Sequence, residues 1–257
     1  MSSNDTISKT LVVAFSLCIV CSVIVSAAAV ILKPAQEVNK TLDKKRNILA
    51  AAGMLDEGKS VDELFAQVST RMVDLRTGKF TDEVSAEDFN ERKAAKDPAL
   101  SESLTPEEDR AKISRRENYA AIYLVKNGQG EIDKIILPIR GYGLWSTLYG
   151  FIALETDGNT VAGLGFYEHG ETPGLGGEVD NPRWKDVWPG KQVYRDGAVT
   201  IALIKGAVDP GSPNAPWEVD GLAGATLTAR GVTNLVQFWL GENGFESFLN
   251  NLNSGEA

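Results

Sequence analysis

The chain has 257 residues with 35 acidic and 26 basic side chains, a formal charge of −9. It is long enough for a sizeable core, and no basic stripe of the kind that binds nucleic acid runs through it. Its only cysteines, Cys18 and Cys21, lie inside an apolar run and its only histidine is His169. This excludes a cysteine-ligated metal site in the rest of the chain and any paired-histidine zinc scheme, so redox chemistry here calls for an organic cofactor.

After a short tail (residues 1–10), residues 11–32 read LVVAFSLCIVCSVIVSAAAVIL, with no charge. Twenty-two residues as a helix rise roughly 33 Å, enough to cross a hydrocarbon core of about 30 Å. A cleaved signal peptide is the rival reading, because Ala27-Ala28-Ala29 resembles a small-residue cleavage site. The run continues past those alanines through Leu32, which favours a retained transmembrane helix in the lipid bilayer. Cys18 and Cys21 share one face of it and read as small packing residues. Lys9 precedes the run, whereas Lys33, Lys40, Lys44, Lys45 and Arg46 follow it. Charge counting alone would keep the following domain in the cytoplasm, a rule that weakens ahead of a long domain.

Residues 33–118 read as a helical and charged region. Val38, Leu42, Leu49 and Ala52 continue a helical spacing past Pro34 as far as Gly53. Ser60-Val-Asp-Glu63 is a capping box that opens a helix expected to run through Leu64, Phe65, Val68 and Met72. Residues 85–118 are charge-rich and predict a solvated excursion.

Residues 119–257 change character. Strand-like runs at 119–125 and 132–139 flank an Asn127-Gly128 turn signal, and runs at 148–154 and 161–167 flank Asp157-Gly158. A third pair, 192–194 and 199–204, flanks Asp196-Gly197. Three hairpins with helices on either side predict an α+β class: one transmembrane helix, then a domain with an antiparallel sheet flanked by helices. The chain has no glycine fingerprint of a dinucleotide fold.

A Pro/Gly-rich loop, residues 209–216, leads to DGLAGATLT (220–228) and a helix with apolar Val232, Leu235, Val236, Trp239 and Leu240. Their spacing buries one face. Thr226 and Thr228 therefore fall at the entrance of a helix, where N–H groups and the dipole favour an anion. Gly224 and Ala225 leave space for a phosphate to approach. Either threonine could instead simply cap the helix.

Asp220–Thr226 resembles the flavinylation motif of bacterial FMN-binding domains, an aspartate followed by Ser/Thr-Gly-Ala-Thr. The N-terminal anchor, GYGLWS (141–146), ETPGLG (171–176) and the C-terminal position of the motif are together similar to the C-subunit family of sodium-translocating NADH:quinone oxidoreductases. The related G-subunit family of the Rnf complex shares most of these features. The resemblance implies one FMN per chain, attached by a flavin transferase through a phosphoester to Thr226, with Asp220 as part of the motif. Ala223 stands where the family has serine or threonine. Leu144, Trp145, Glu171, Thr172, Gly174, Leu175, Gly176, Lys205, Gly224, Ala225 and Thr228 are the expected neighbours of the cofactor. Leu175 is expected to cap the ring, Lys205 to favour a reduced anionic flavin, and His169 to be structural.

No base lies near Thr226 in sequence, so activation of its hydroxyl must come from another protein, and the chain holds no catalytic residue or metal of its own. The resemblance further implies an electron-carrying subunit of the bacterial inner membrane with its flavin domain on the periplasmic side. Electrons would pass from an iron centre in the membrane subunits to a second FMN on a neighbouring subunit. An Rnf component, a membrane-anchored FMN-binding regulator and a purely structural anchor are the alternatives.

Overall fold

The structure, a computed structural model, describes residues 6–56 and 58–257. The first five residues of the expected tail and Glu57 lie outside the described residues. The chain forms two units, Met1–Lys44 and Lys45–Ala257. Helix α1, Ile7–Ala51, runs without a break through Pro34 and supplies the first unit from Ile7 onward. It is long and apolar enough to cross a membrane, and its apolar stretch is not buried. It ends where Gly53 takes φ +67°. The Gly53 N–H then reaches the Ala50 carbonyl at 3.0 Å and the Met54 N–H reaches that of Leu49 at 2.8 Å, closing the last turn.

In the second unit α2 (Val61–Phe65) starts on the expected capping box, with both reciprocal bonds between Ser60 and Glu63 made. The helix does not continue through Val68 and Met72. Val68–Asp74 is strand β1 and Lys79–Thr81 is β2. Val68, Leu64 and Met72 fit a helical period, but β1 pairs over its whole length with a strand about 50 residues later, and that tertiary pairing overrides a local pattern. Two strands of the main sheet thus come from the segment expected to be helical and charged. The solvated excursion carries only α3 (Glu91–Ala94) and a short ladder of β3 (Ser101–Ser103) with β4 (Arg115–Glu117).

Strands β5 (Tyr119–Lys126), β6 (Ile132–Tyr142), β7 (Thr147–Glu155) and β8 (Val161–Glu168) realise the first two hairpins. The six-stranded antiparallel sheet has the order β2-β1-β5-β6-β7-β8. Every residue from Tyr119 to Val125 is buried, because β5 is central and covered on both faces. On one face Ile122, Leu124, Ile135, Leu137, Ile139 and Ile152 meet the C-terminal helices. On the other, Tyr123, Ile136, Phe151 and Ala153 meet Ile48, Leu49, Ala51 and Leu64.

After β8 the chain makes a 3-10 turn at Gly176–Asp180 and α4 (Pro182–Lys185). The third expected hairpin shrinks to β9 (Tyr194–Arg195) with β10 (Ala198–Val199), outside the main sheet. Its continuation, β11 (Ala202–Leu203), pairs in parallel with β12 (Glu218–Val219). Helix α5 (Thr226–Leu240) then lays Val232, Leu235, Val236 and Trp239 on the sheet, all at most 1% exposed, and α6 (Glu246–Ser254) adds Phe248 and Leu249.

Candidate functional site at the start of helix α5

Gly224 takes φ +71°, a left-handed conformation that turns the chain into α5. Ala225 occupies the N-cap, and no side chain caps this end. Neither threonine is a cap. Thr226 is the first helical residue and is exposed. Thr228, 1% exposed, turns inward and donates a 2.6 Å hydrogen bond to Glu171 Oε2. The leading N–H groups of an α-helix have no intrahelical partner, so the exposed Thr226 hydroxyl sits where an anion is stabilised.

Glu171 joins three segments at this point. Its Oε1 accepts from the N–H groups of Leu144 (3.1 Å), Trp145 (2.9 Å) and Ser146 (3.2 Å), while Oε2 takes the Thr228 hydroxyl. The side chain is buried, and burial alone would raise its pKa. The hydrogen bonds from Thr228, Trp145, Leu144 and Ser146 outweigh that and hold the carboxyl below the ordinary glutamate value. His169 acts behind it: Nδ1 accepts the Glu171 N–H at 3.2 Å and Nε2 lies 2.7 Å from Asp180 Oδ2. The Ser146 hydroxyl accepts the Gly170 N–H at 2.6 Å, a second link between the two loops.

The two loops present apolar side chains outward. Trp145 is 66% exposed, Leu175 44% and Leu144 36%. Gly174 at φ +75° makes the bend before Leu175, whose Cδ2 lies so close that a Cβ on Gly224 would come within 2.9 Å. Gly176 fits under the knot itself, since a Cβ there would meet Thr228 Oγ1 and Glu171 Oε2 at 2.5 and 2.7 Å. Thr172 accepts the Leu175 and Gly177 N–H groups on its carbonyl and keeps its side chain exposed.

Thr226 also lines a cleft of about 490 Å³, together with Lys205, Gly206, Ala223, Gly224, Ala229 and Arg230. Two cations therefore share a cleft with the exposed hydroxyl. Lys205 is expected from the sequence as a neighbour of the cofactor that favours a reduced flavin, and the structure places it in the cleft with Thr226. Arg230 is an addition, standing four residues after Thr226 on the same helix and so on the same face. Asp220 is not on this wall. Its carboxylate accepts the Val208 N–H at 2.8 Å and its carbonyl accepts the Trp184 indole N–H at 2.9 Å.

The FMN-binding domain family matches residues 143–241, which hold GYGLWS from Gly143 onward, ETPGLG and the start of α5. The structure is similar to the crystal structure of Shewanella oneidensis NqrC (TM-score 0.78, 38% identity, covering 84% of this chain and 99% of that one). It is also similar to the crystal structure of the C subunit of Na(+)-translocating NADH-quinone reductase from Parabacteroides distasonis (TM-score 0.65, 26% identity, 85% and 96%). Among curated proteins, the C subunit of the Na(+)-translocating NADH-quinone reductase of Pseudomonas aeruginosa is 55% identical over the whole of both chains. That of Vibrio alginolyticus is 51% identical over 99% of this chain and 98% of its own. The fold and site thus define a protein built around an FMN-binding domain behind an apolar N-terminal helix. The chain belongs to the C-subunit family of the Na(+)-translocating NADH-quinone reductases.

The residues present fit a flavin phosphate. Exposed Leu144, Trp145 and Leu175 supply an apolar surface for a flat ring, and an uncapped helix start with Lys205 and Arg230 supplies the anion end.

Proposed function

We propose that this chain is the FMN-bearing electron-transfer subunit of a sodium-translocating NADH–quinone reductase, with FMN joined through its phosphate to Thr226. The observation that carries the reading is the exposed Thr226 hydroxyl at the uncapped start of α5, in a cleft with Lys205 and Arg230. Attachment forms a bond from Thr226 Oγ to phosphorus and breaks the phosphoanhydride bond of an activated flavin dinucleotide, whose nucleoside monophosphate half leaves. Among the described residues the cleft of Thr226 offers only Lys205 and Arg230 as ionisable side chains, so the hydroxyl proton leaves to a base of a flavin transferase.

Bound FMN supplies reversible one- and two-electron chemistry. The chain's own part is to hold and orient. Glu171 fixes the loops that carry Leu144, Trp145 and Leu175, and the backbone start of α5 with Lys205 and Arg230 neutralises the phosphoester. Helix α1 would anchor the domain in the bacterial inner membrane, with the domain on the periplasmic side. There it would accept electrons from an iron centre of the membrane subunits and pass them to a second FMN on a neighbouring subunit. The likeness to the C subunits along nearly the whole of both chains supports this complex rather than Rnf as the partner.

Intact mass and in-gel flavin fluorescence of the denatured full chain, co-produced with a flavin transferase, test the attachment. A gain of one FMN less one water in the wild type, absent in Thr226→Ala, is the expected result. A wild type without bound flavin overturns it.

A further inference from the structure

We infer that Asp220, the first residue of the flavinylation motif, is a positioning residue that works through Lys205: its carboxylate holds the Lys205–Val208 segment so that the ammonium stands in the cleft of Thr226. The inference rests on the attachment proposed above and assigns a part to a side chain that does not itself reach the cleft.

The strand before Lys205 is fastened along its length. Gln237 Nε2 donates to the Ile201 carbonyl at 2.9 Å, and the Leu203 N–H donates to Thr233 Oγ1 at 3.0 Å, both from α5. Ala202 and Leu203 pair with Glu218 and Val219, and the Ile204 N–H reaches the Val219 carbonyl at 2.9 Å. Beyond Ile204 the regular ladder stops. Two bonds from the motif carry the fastening onward: Gly221 N–H to the Gly206 carbonyl at 2.8 Å, and Val208 N–H to Asp220 Oδ1 at 2.8 Å.

The approach of the two segments is close enough to dictate Gly221. A Cβ there would lie 2.1 Å from the Ile204 carbonyl oxygen. Lys205 and Gly206 sit between these clamps, and both line the cleft with Thr226. Asp220 itself faces the groove of Val208, Pro210 and Pro216 on another side. Its carboxylate thus acts at a distance from Thr226, by fixing where the cation stands. A phosphoryl donor entering the cleft gains the most from a cation already in place, because a preorganised charge needs no further ordering.

The test compares full-length wild type with Asp220→Asn, Asp220→Ala, Lys205→Met and the double variant Asp220→Ala/Lys205→Met. All are incubated with flavin transferase and flavin nucleotide, with covalent flavin per chain followed by intact mass. Amide exchange of the 205–208 peptide is the second readout. The asparagine Oδ1 can still accept the Val208 N–H. Asp220→Asn should therefore flavinylate within about fivefold of wild type, the scale of exchanging a charged hydrogen-bond acceptor for a neutral one, with protection at Val208 retained. Asp220→Ala should lose protection there and slow flavinylation more than about tenfold, Lys205→Met should slow it comparably, and the double variant should be no slower than the worse single one.

Asp220→Asn as slow as Asp220→Ala with Val208 still protected would overturn the inference, since the charge itself would then be what is read. Lys205→Met flavinylated like wild type would overturn it as well. A wild type that takes up no flavin sinks the attachment instead, and the exchange comparison still decides whether Asp220 holds the Lys205 segment.

Discussion

The Thr228 hydroxyl and Glu171 Oε2 meet at 2.6 Å, joining the first turn of α5 to a loop 57 residues earlier in the chain. Because the other oxygen of Glu171 gathers three consecutive N–H groups of residues 144–146, removing the carboxylate breaks several contacts, whereas removing the Thr228 hydroxyl breaks one. Glu171→Ala leaves the buried Thr228 hydroxyl and three part-buried N–H groups without their acceptor and should cost about 3 kcal/mol of stability. Thr228→Val removes one bond to a charged acceptor and should cost about 2 kcal/mol, while Glu171→Gln, which can keep Oε1, should cost about 1 kcal/mol. Urea unfolding of the three variants against wild type measures that order. Retained stability in Glu171→Ala would mean that the loops are held by other contacts.

The same knot gives the protein an acid sensitivity whose sign follows from the lowered pKa of Glu171. A group whose folded pKa lies below its unfolded value contributes stability that is complete above the unfolded value, about 4.3 for glutamate. That contribution is lost as pH falls through the lower, folded value. Wild type should therefore lose stability on acidification below about pH 4.3, and Glu171→Gln should show a shallower decline over the same window. Parallel curves for the two proteins would remove Glu171 from the groups responsible.

Gly231 lies inside α5, where glycine is disfavoured by about 1 kcal/mol relative to alanine. Its reason is contact: a Cβ there would meet the Tyr142 carbonyl oxygen at 2.5 Å and Gly143 Cα at 2.9 Å, both backbone atoms. Gly231→Ala gains helix propensity but forces α5 away from the loop that carries Leu144 and Trp145. A net loss of up to about 2 kcal/mol is expected from propensity set against overpacking. Thermal unfolding measures it, and a stabilised variant would show that loop and helix separate at little cost.

The sequence made some of this legible and hid the rest for identifiable reasons. The two hairpins 119–139 and 148–167 were readable because turn signals at Asn127-Gly128 and Asp157-Gly158 act locally. The start of α5 was readable from its apolar spacing after a Gly/Pro-rich loop. Strand β1 was not, since Val68 and Met72 also suit a helix and only pairing with β5 decides. The alternative that Thr226 or Thr228 merely caps the helix fails because Ala225 takes the N-cap position and Thr226 is already helical, while the Thr228 hydroxyl goes to Glu171, a partner no local pattern reveals. Arg230 shares a helix face with Thr226 and could have been found from the four-residue spacing. The link from Asp220 to Val208 runs between loop residues twelve apart and has no periodic signature.

Ala223, the one departure from the motif, lets the value of a hydroxyl be bounded. Ala223 is exposed on the wall of the cleft with Thr226, so a serine there would bury no unsatisfied group. The most it could add is a hydrogen bond to the entering phosphate, and one such bond is worth about 1–1.5 kcal/mol, or up to roughly tenfold in rate. Ala223→Ser should accordingly raise the rate of flavinylation of the full-length chain by no more than about tenfold while leaving urea stability unchanged within about 0.5 kcal/mol. The measurement is the initial rate of covalent flavin uptake with transferase in limiting amount. A gain well beyond tenfold would mean that the serine does more than bind phosphate, and that the transferase reads this position directly. No gain at all would show that the start of α5, Lys205 and Arg230 already satisfy the phosphate without it.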